Sequence, residues 1–459
     1  MTLADLAARM RGPLLRPGTI HYANASVISN ERYADVRPRA IARVLSEDDV
    51  VACVRFAAGS ALPFAVRCGG HSYAGYSMNQ GLVCDVRRID TISVAADRRS
   101  VTVGAGVLAI DLITALAARG LAVPTGSCPT VGISGLALGG GVGFAARAFG
   151  ATCDNILSVR IVTADGRVLT ADPVTNSDLF WACRGGGGGN FGVVTALELA
   201  THPVSSAAYG FCDFPWSQAG AAVAAWQRLA PHGPDGLYLI CALETGTSAP
   251  QVRVFGQLVG GTEAALRAAM APITAVAGAS LSTGAGTYLD VQRIWAGCAS
   301  ETAAACRAIR PASFSARSAY VAHALPAAGA AAIIAAVDRR QAAGAGSGAV
   351  LLDPYGGALN RIAPDATAFV HRDQLFSAQM LAYYGSAGEG PAADRWLNSL
   401  ESGLRAFTSG QAYQNYIDPG LAGWKLAYYG TNLSRLRAIK RTRDPDGVFR
   451  FRQSIPPAA

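Results

Sequence analysis

The stretch Cys128–Gly143 reads CPTVGISGLALGGGVG and runs into Phe144. Six of its sixteen residues are glycine, and a single thiol opens it. Glycine at this density lets backbone approach a ligand closely, because no Cβ stands in the way. Successive N–H groups can then line an anion such as pyrophosphate. A second stretch upstream answers it: RCGGHSYAGYS, Arg67–Ser77, sets His71 directly after two glycines. One thiol and one imidazole, each on a glycine-rich turn, form the expected chemical centre. The run GGGVG at 139–143 does not fit the dinucleotide fingerprint, whose glycines open a helix after a strand. A Rossmann nicotinamide enzyme is therefore disfavoured.

Upstream, Ser46 followed by acids at 47–49 marks a helix start, with an apolar face at Val50, Val51, Val54 and Phe56–Ala58. The flanking IARVL and PFAVR read as strands, giving a β-α-β unit that delivers the RCGGHS turn. Further strands are expected at 82–89 and 100–107, and a helix at 111–120 ended by Gly120. NILSVRIVTADGRVLTA (155–171) reads as two strands joined at Asp165-Gly166, a strong hairpin signal. Residues 178–199 read as a helix, a five-glycine loop and a strand. That loop is equally consistent with a plain tight turn, so binding cannot be read from it alone.

From about residue 206 the character changes. Alternating strands are followed by Ala-rich helices at 262–277, 299–309 and 326–343, then by strands in AVLLDPYGGAL and SAQMLAYYG. An antiparallel sheet backed by helices is expected. The C-terminal segment, from GQAYQNYIDPG (410–420) through a helix around NLSRLRAIKRTR, has no local core and should pack against the N-terminal part.

At 459 residues the chain exceeds one hydrophobic core, and 51% hydrophobic with 15% charged residues is a globular composition. The net charge of +8 is carried almost wholly by arginine, since Lys425 and Lys440 are the two lysines. No basic block points to nucleic acid, and no apolar run approaches the roughly 20 residues of a membrane helix. The N-terminus, with Asp5 in its first apolar stretch, is a poor secretory signal, so a cytoplasmic location is expected. Ten scattered cysteines without a CxxC pair suggest buried free thiols in a reducing compartment, and no ligand spacing suggests zinc or another metal.

His71 alone would ordinarily be a surface or hydrogen-bonded histidine, and Cys128 alone a packed thiol. Jointly, RCGGHSYAGYS, GSCPTVGISGLALGGGVGF, DNILSVRIVTADG, DLFWACRGGGGGNFGVVT and AYQNYID resemble the berberine-bridge-enzyme-like flavoproteins, in the same order. These are FAD-dependent oxidases of the vanillyl-alcohol-oxidase fold. The resemblance covers nearly all of 35–205 and 410–455. It implies an α+β, two-domain flavoprotein: 1–205 and 410–459 hold FAD, and 206–409 form a substrate domain whose antiparallel sheet is backed by helices.

It further implies a bicovalent flavin, with His71 bonded to the 8α-methyl and Cys128 to C6. The cradle would include Arg67, Cys68, Gly69, Gly70, Ser72, Val131, Gly132, Gly135, Gly139, Gly140, Gly141, Gly192, Val194 and Asn415. Cys68 stands where relatives often carry glycine or serine and reads as a neutral substitution. Two links would fix the ring and make it a stronger oxidant.

In AYQNYID the family's catalytic tyrosine matches Tyr416, with Tyr413 three residues before it. A free phenol titrates near 10, so a base there needs a neighbouring cation or a proton acceptor. Asp353 in LLDPYGG matches a carboxylate that assists in sugar-oxidising relatives, and Tyr355 a second tyrosine. The alternative is that these tyrosines merely line an aromatic pocket. Val131 is smaller than the aliphatic residue of relatives that react poorly with oxygen, which implies an oxidase making hydrogen peroxide. The expected reaction is oxidation of a hydroxyl on a sugar-bearing or polycyclic natural product. An oligosaccharide oxidase, an oxidative cyclase and a non-catalytic flavin-binding protein are the alternatives. The expected partners are a small-molecule substrate and O2, in a monomer or homodimer.

Overall fold

Ser46 caps the helix Glu47–Ala58 through its hydroxyl, which accepts the Asp49 N–H at 3.4 Å. The buried Asp49 carboxylate in turn accepts backbone N–H groups from Arg11, Gly12 and Leu45 at 2.7, 3.0 and 2.9 Å. One side chain thus ties the N-terminal lead-in to the first helix. The computed structural model describes residues 2–344 and 346–458. The helix connects strands Ala40–Arg43 and Phe64–Arg67, as expected, but both pair in parallel with Leu82–Asp85, which lies between them.

A second sheet of five antiparallel strands has the order Ile92–Val94, Ser100–Gly104, Val193–Ala200, Ile156–Val162, Val168–Ala171. The hairpin at Asp165-Gly166 is present, with Gly166 at φ +73° and Thr163 Oγ1 donating to Asp165 at 2.6 Å.

The third sheet has seven antiparallel strands in the order Ser280–Thr287, Ser206–Phe214, Gln251–Val259, Leu237–Glu244, Gly348–Pro354, Phe376–Tyr384, Ser313–Val321. Alternation along these strands gives it two faces. Leu237, Leu239, Cys241, Val350 and Leu352 pack under helices Ala219–Leu229, Ala327–Ala343 and Gly390–Leu404 through Trp226, Ile333, Val337 and Leu397. Tyr238, Ile240, Tyr320 and Tyr355 turn the other way, into a cluster with Val107, Ile133, Phe144, Val159 and Leu197. This face is the floor set against the glycine turns.

The C-terminal segment packs back as expected. Ala412, Tyr413, Tyr428, Tyr429, Leu436 and Ile455 join that same cluster. Buried Lys440 donates at 2.6 Å to each of Asn190 O, Asp444 Oδ2 and Phe449 O, pinning the segment to the five-glycine loop.

Three expectations are corrected. The helix expected over 262–277 is two pieces, Glu263–Ala269 and Ala271–Thr274, because Pro272 opens the second. The helix expected over 299–309 shrinks to Ala303–Cys306. Its last residue, Cys306, is joined to Cys298 by a disulfide, so the thiols are not all free. Eight cysteines remain unpaired, six of them buried.

Candidate active site

The strand Phe64–Arg67 delivers the turn 68–72 directly against the start of the glycine-rich stretch. A Cβ on Gly69 would stand 2.4 Å from Thr130 O and 2.5 Å from Gly132 N, and one on Gly132 would stand 2.1 Å from Cys68 Sγ. Only two residues without side chains can interlock this closely. Across the junction His71 Nε2 lies 2.8 Å from Thr130 Oγ1. The 128–132 turn is anchored from behind, since Ala109 N–H donates to Val131 O at 2.9 Å and Ile110 N–H to Pro129 O at 3.0 Å. Gly132 then leads into a helix, Ile133–Leu138. The stretch is therefore a turn, a short helix and a second glycine turn, where a ligand-facing loop was expected.

The second glycine turn is held by the C-terminal segment. A Cβ on Gly139 would meet Asn415 Oδ1 at 2.0 Å, and one on Gly141 (φ +87°) would meet Thr152 Oγ1 at 2.2 Å. On Gly140 (φ +131°) it would meet the Phe369 ring. The Tyr413 hydroxyl accepts the Gly141 N–H at 2.7 Å and an Asn415 Nδ2–H at 2.9 Å. Tyr413, which the resemblance groups with the catalytic Tyr416, and Asn415 thus clamp the turn. Gly141→Ala is expected to cost about 1–3 kcal/mol through a side chain forced into left-handed backbone. A urea titration of both proteins checks it.

Burial, with the Arg67 charge second, lowers His71 to about 4, so its imidazole is neutral at ordinary pH. Arg67 is itself buried and held down to about 10, chiefly by burial. It donates to Val27 O, while its Nε and Nη1 have no hydrogen-bond partner. The Cys68 thiol is pushed up to about 12 by burial, which makes it inert. Cys128 is exposed, although the protein around its sulfur still raises its thiol. The Ser72 hydroxyl accepts the Tyr76 N–H at 3.1 Å and braces the turn. Gly135 faces open space, with no atom within 4 Å of the point where a methyl would stand.

These residues fit a flavin dinucleotide. The glycine turns pack too closely for side chains, Gly135 leaves open space, Arg67 has N–H groups without partners, and Cys128 is an accessible thiol on the turn that also carries Thr130, the partner of His71. At Gly192, just before the strand, a Cβ would meet Val162 O at 2.6 Å, and Val194 is buried in the strand opposite Ile161.

Opposite these turns sits a second group of side chains. The Tyr416 ring stacks on Tyr73 (centroids 5.3 Å apart, planes at 11°) and meets Tyr413 edge to face (4.9 Å, 77°). Tyr73 OH accepts Gln379 Nε2–H at 2.7 Å. Asp353 is buried on the sheet floor, with Tyr238 OH 3.4 Å from Oδ1 and no partner at Oδ2. Burial raises its carboxyl to about 7. The Tyr416 phenol is pushed well up by burial and by the Asp353 charge. Asp353 is thus the carboxylate whose charge reaches Tyr416. Tyr355 is fully buried, its hydroxyl 2.7 Å from Tyr320 OH. Buried Arg147 binds the carbonyls of Tyr355, Pro231, Gly233 and Leu237 at 2.5, 2.5, 2.6 and 2.9 Å. It thereby fixes the strand ends that carry Tyr355 and Tyr238.

Sequence reading missed Thr130, Tyr73, Tyr238, Gln379 and Arg147. Tyr73 was available, two residues after His71 in the quoted motif. Thr130 was likewise in the quoted glycine-rich stretch, whereas Tyr238 and Gln379 depend on which strands become neighbours and Arg147 on where its helix meets them. Among the described residues, no cluster of His, Cys, Asp or Glu could hold a metal, and no helix is long and apolar enough to cross a membrane.

The fold and the site together define a flavoprotein: glycine turns able to seat a dinucleotide, facing a sheet floor with a tyrosine and a buried carboxylate. The sequence matches the FAD binding domain family over residues 38–172 and the berberine and berberine like family over 412–456. It is 31% identical over 438 residues to the FAD-linked oxidoreductase YgaK of Bacillus subtilis, covering 94% of this chain and 93% of that one. It is 30% identical over 444 residues to xylooligosaccharide oxidase of Thermothelomyces thermophilus, covering 92% and 88%. The structure superposes on Physcomitrella patens BBE-like 1 with a TM-score of 0.92 at 30% identity, over 100% of both chains. The chain belongs to the berberine-bridge-enzyme-like family of FAD-linked oxidoreductases.

Proposed function

We propose that this enzyme oxidises a hydroxyl of a sugar-bearing or polycyclic compound, with Tyr416 and Asp353 removing the hydroxyl proton and O2 as final electron acceptor. The observation that carries the reading is the Asp353 carboxyl, buried, raised to about 7 and unpartnered at Oδ2, in the group that holds Tyr416. A general base works best with a pKa near the operating pH. A neutral Tyr416 can take the substrate proton only as it passes its own onward, and Asp353 is the nearby acceptor. Gln379 and Tyr73 offer hydrogen bonds that orient a hydroxylated substrate. The buried tyrosines exclude water from the same space.

FAD, when bound, supplies a hydride acceptor at N5. In this reading His71 and Cys128 each form a covalent bond to it, Arg67 offers N–H groups to its anionic portion, and Val131 leaves room for O2. The likeness to xylooligosaccharide oxidase, shared by its solved structure with xylobiose at a TM-score of 0.91 and 26% identity, favours a saccharide as the alternative substrate.

Acid-denatured, washed protein is expected to stay yellow, with an intact mass above the chain by one FAD and peptide mapping to His71 and Cys128. A colourless pellet with flavin in the supernatant would sink the double link. Peroxide release on xylobiose, compared with polycyclic alcohols, separates the two substrate classes.

A further inference from the structure

We propose that Thr130 is the positioning residue that prepares His71 for its bond to flavin, holding the proton on Nε2 so that the bond forms at Nδ1. The inference rests on the reading of His71 as a flavin attachment point.

Thr130 Oγ1 lies 2.8 Å from Nε2, and among the described residues no other hydrogen bond reaches the ring. Nδ1 is therefore the nitrogen left free to react. A neutral imidazole carries one N–H, and only the form protonated at Nε2 has its lone pair on Nδ1. A hydroxyl suits both ends of the process, since it can accept from Nε2–H beforehand and donate to bare Nε2 afterwards.

The placement of Thr130 is rigid. Its carbonyl fills the position a Gly69 side chain would need, 2.4 Å from that Cβ. The carbonyls on either side of it, Pro129 and Val131, are bound by Ile110 and Ala109. Thr130 is also buried, so bulk water does not replace its hydroxyl at Nε2. Among the described residues its hydroxyl makes no second hydrogen bond.

During attachment the Nδ1 lone pair forms the bond to the 8α carbon, and one 8α C–H bond breaks, its proton passing to solvent. The C–H electron pair stays on the flavin, which is thereby reduced. The Nε2 proton is also lost to solvent, past the partly exposed His71 ring, and the Thr130 O–H then turns to donate to bare Nε2. Molecular oxygen takes the two electrons and two protons as hydrogen peroxide and returns the flavin to its oxidised form.

The test uses the full chain carrying Cys128→Ala, so that any denaturation-resistant flavin reports the His71 link alone. Purified proteins are incubated with FAD in air, and the covalent fraction is followed by intact mass and by in-gel flavin fluorescence, per mole of flavin bound. Thr130→Val in this background is expected to load at least tenfold more slowly while retaining dissociable FAD. Thr130→Ser is expected to load within about twofold of the parent, which a merely space-filling role would not predict. Should the valine variant hold no FAD, Thr130→Ala takes its place with the same two outcomes. Loading by the valine or alanine variant at the parental rate overturns the role of Thr130. A parent with Cys128→Ala that never acquires covalent flavin overturns the His71 attachment itself, and the inference falls with it.

Discussion

Replacing Tyr416 with phenylalanine is expected to lower turnover by about 10²- to 10⁴-fold, the usual contribution of a positioned proton-transfer group. The ring would remain stacked on Tyr73 and edge-on to Tyr413, so packing should survive the loss of the hydroxyl. The pH dependence separates this role from simple lining of the pocket. Asp353 is raised to about 7, so it is mostly protonated below that pH and mostly a carboxylate above it. Tyr416 is pushed upward and stays neutral across the same window. Turnover should therefore rise as pH is raised through about 7 and then level off. Asp353→Asn should lower turnover by a similar order and abolish that limb. Steady-state peroxide release between pH 5 and 9 gives both results. Survival of the limb in Asp353→Asn would move the titrating group elsewhere.

Arg372→Met is expected to destabilise the fold by about 3–5 kcal/mol, the usual cost of leaving one partner of a buried ion pair uncompensated. Arg372 and Asp154 are almost wholly buried and share two bonds, at 2.5 and 2.9 Å. The guanidinium also reaches Thr367 Oγ1 at 3.0 Å and lies 4.7 Å from the centre of the Phe369 ring. The pair joins the segment after the sheet strand Gly348–Pro354 to the turn Thr152–Asn155, whose Thr152 Oγ1 lies against Gly141. Denaturant midpoints of the wild type, the single variant and Arg372→Met with Asp154→Asn check the assignment. The double variant should recover part of the loss, since the stranded carboxylate is gone. Near-additive losses would mean that the two side chains do not act as a pair.

Much of the fold follows from local signals. Ser46 and its acids announce a helix, Asp165-Gly166 a hairpin, and the changed alternation after 206 a separate sheet. These readings hold because cap, turn and period all act within a few residues. Local rules fail where the deciding partner is distant. The disulfide between Cys298 and Cys306 depends on a chain reversal that the seven intervening positions do not reveal. The same holds at the site. His71 and Cys128 stand out because glycines surround them, whereas Gln379 and Tyr238 look like ordinary strand residues. Their meeting with Tyr73 and Asp353 comes from the register of strands far apart in the chain.

The hydrogen bond from Gly141 to Tyr413 spans 272 residues. At about 5–20 residues per second of synthesis, the glycine turn waits roughly 14–54 s for its clamp to leave the ribosome. Lys440 reaches Asn190 across 250 residues and arrives later still. Until then the nascent N-terminal region lacks the anchors that shape its ligand-facing backbone. A ribosome stalled before Tyr413 would therefore display a chain whose glycine turn still lacks the clamp that the C-terminal segment provides.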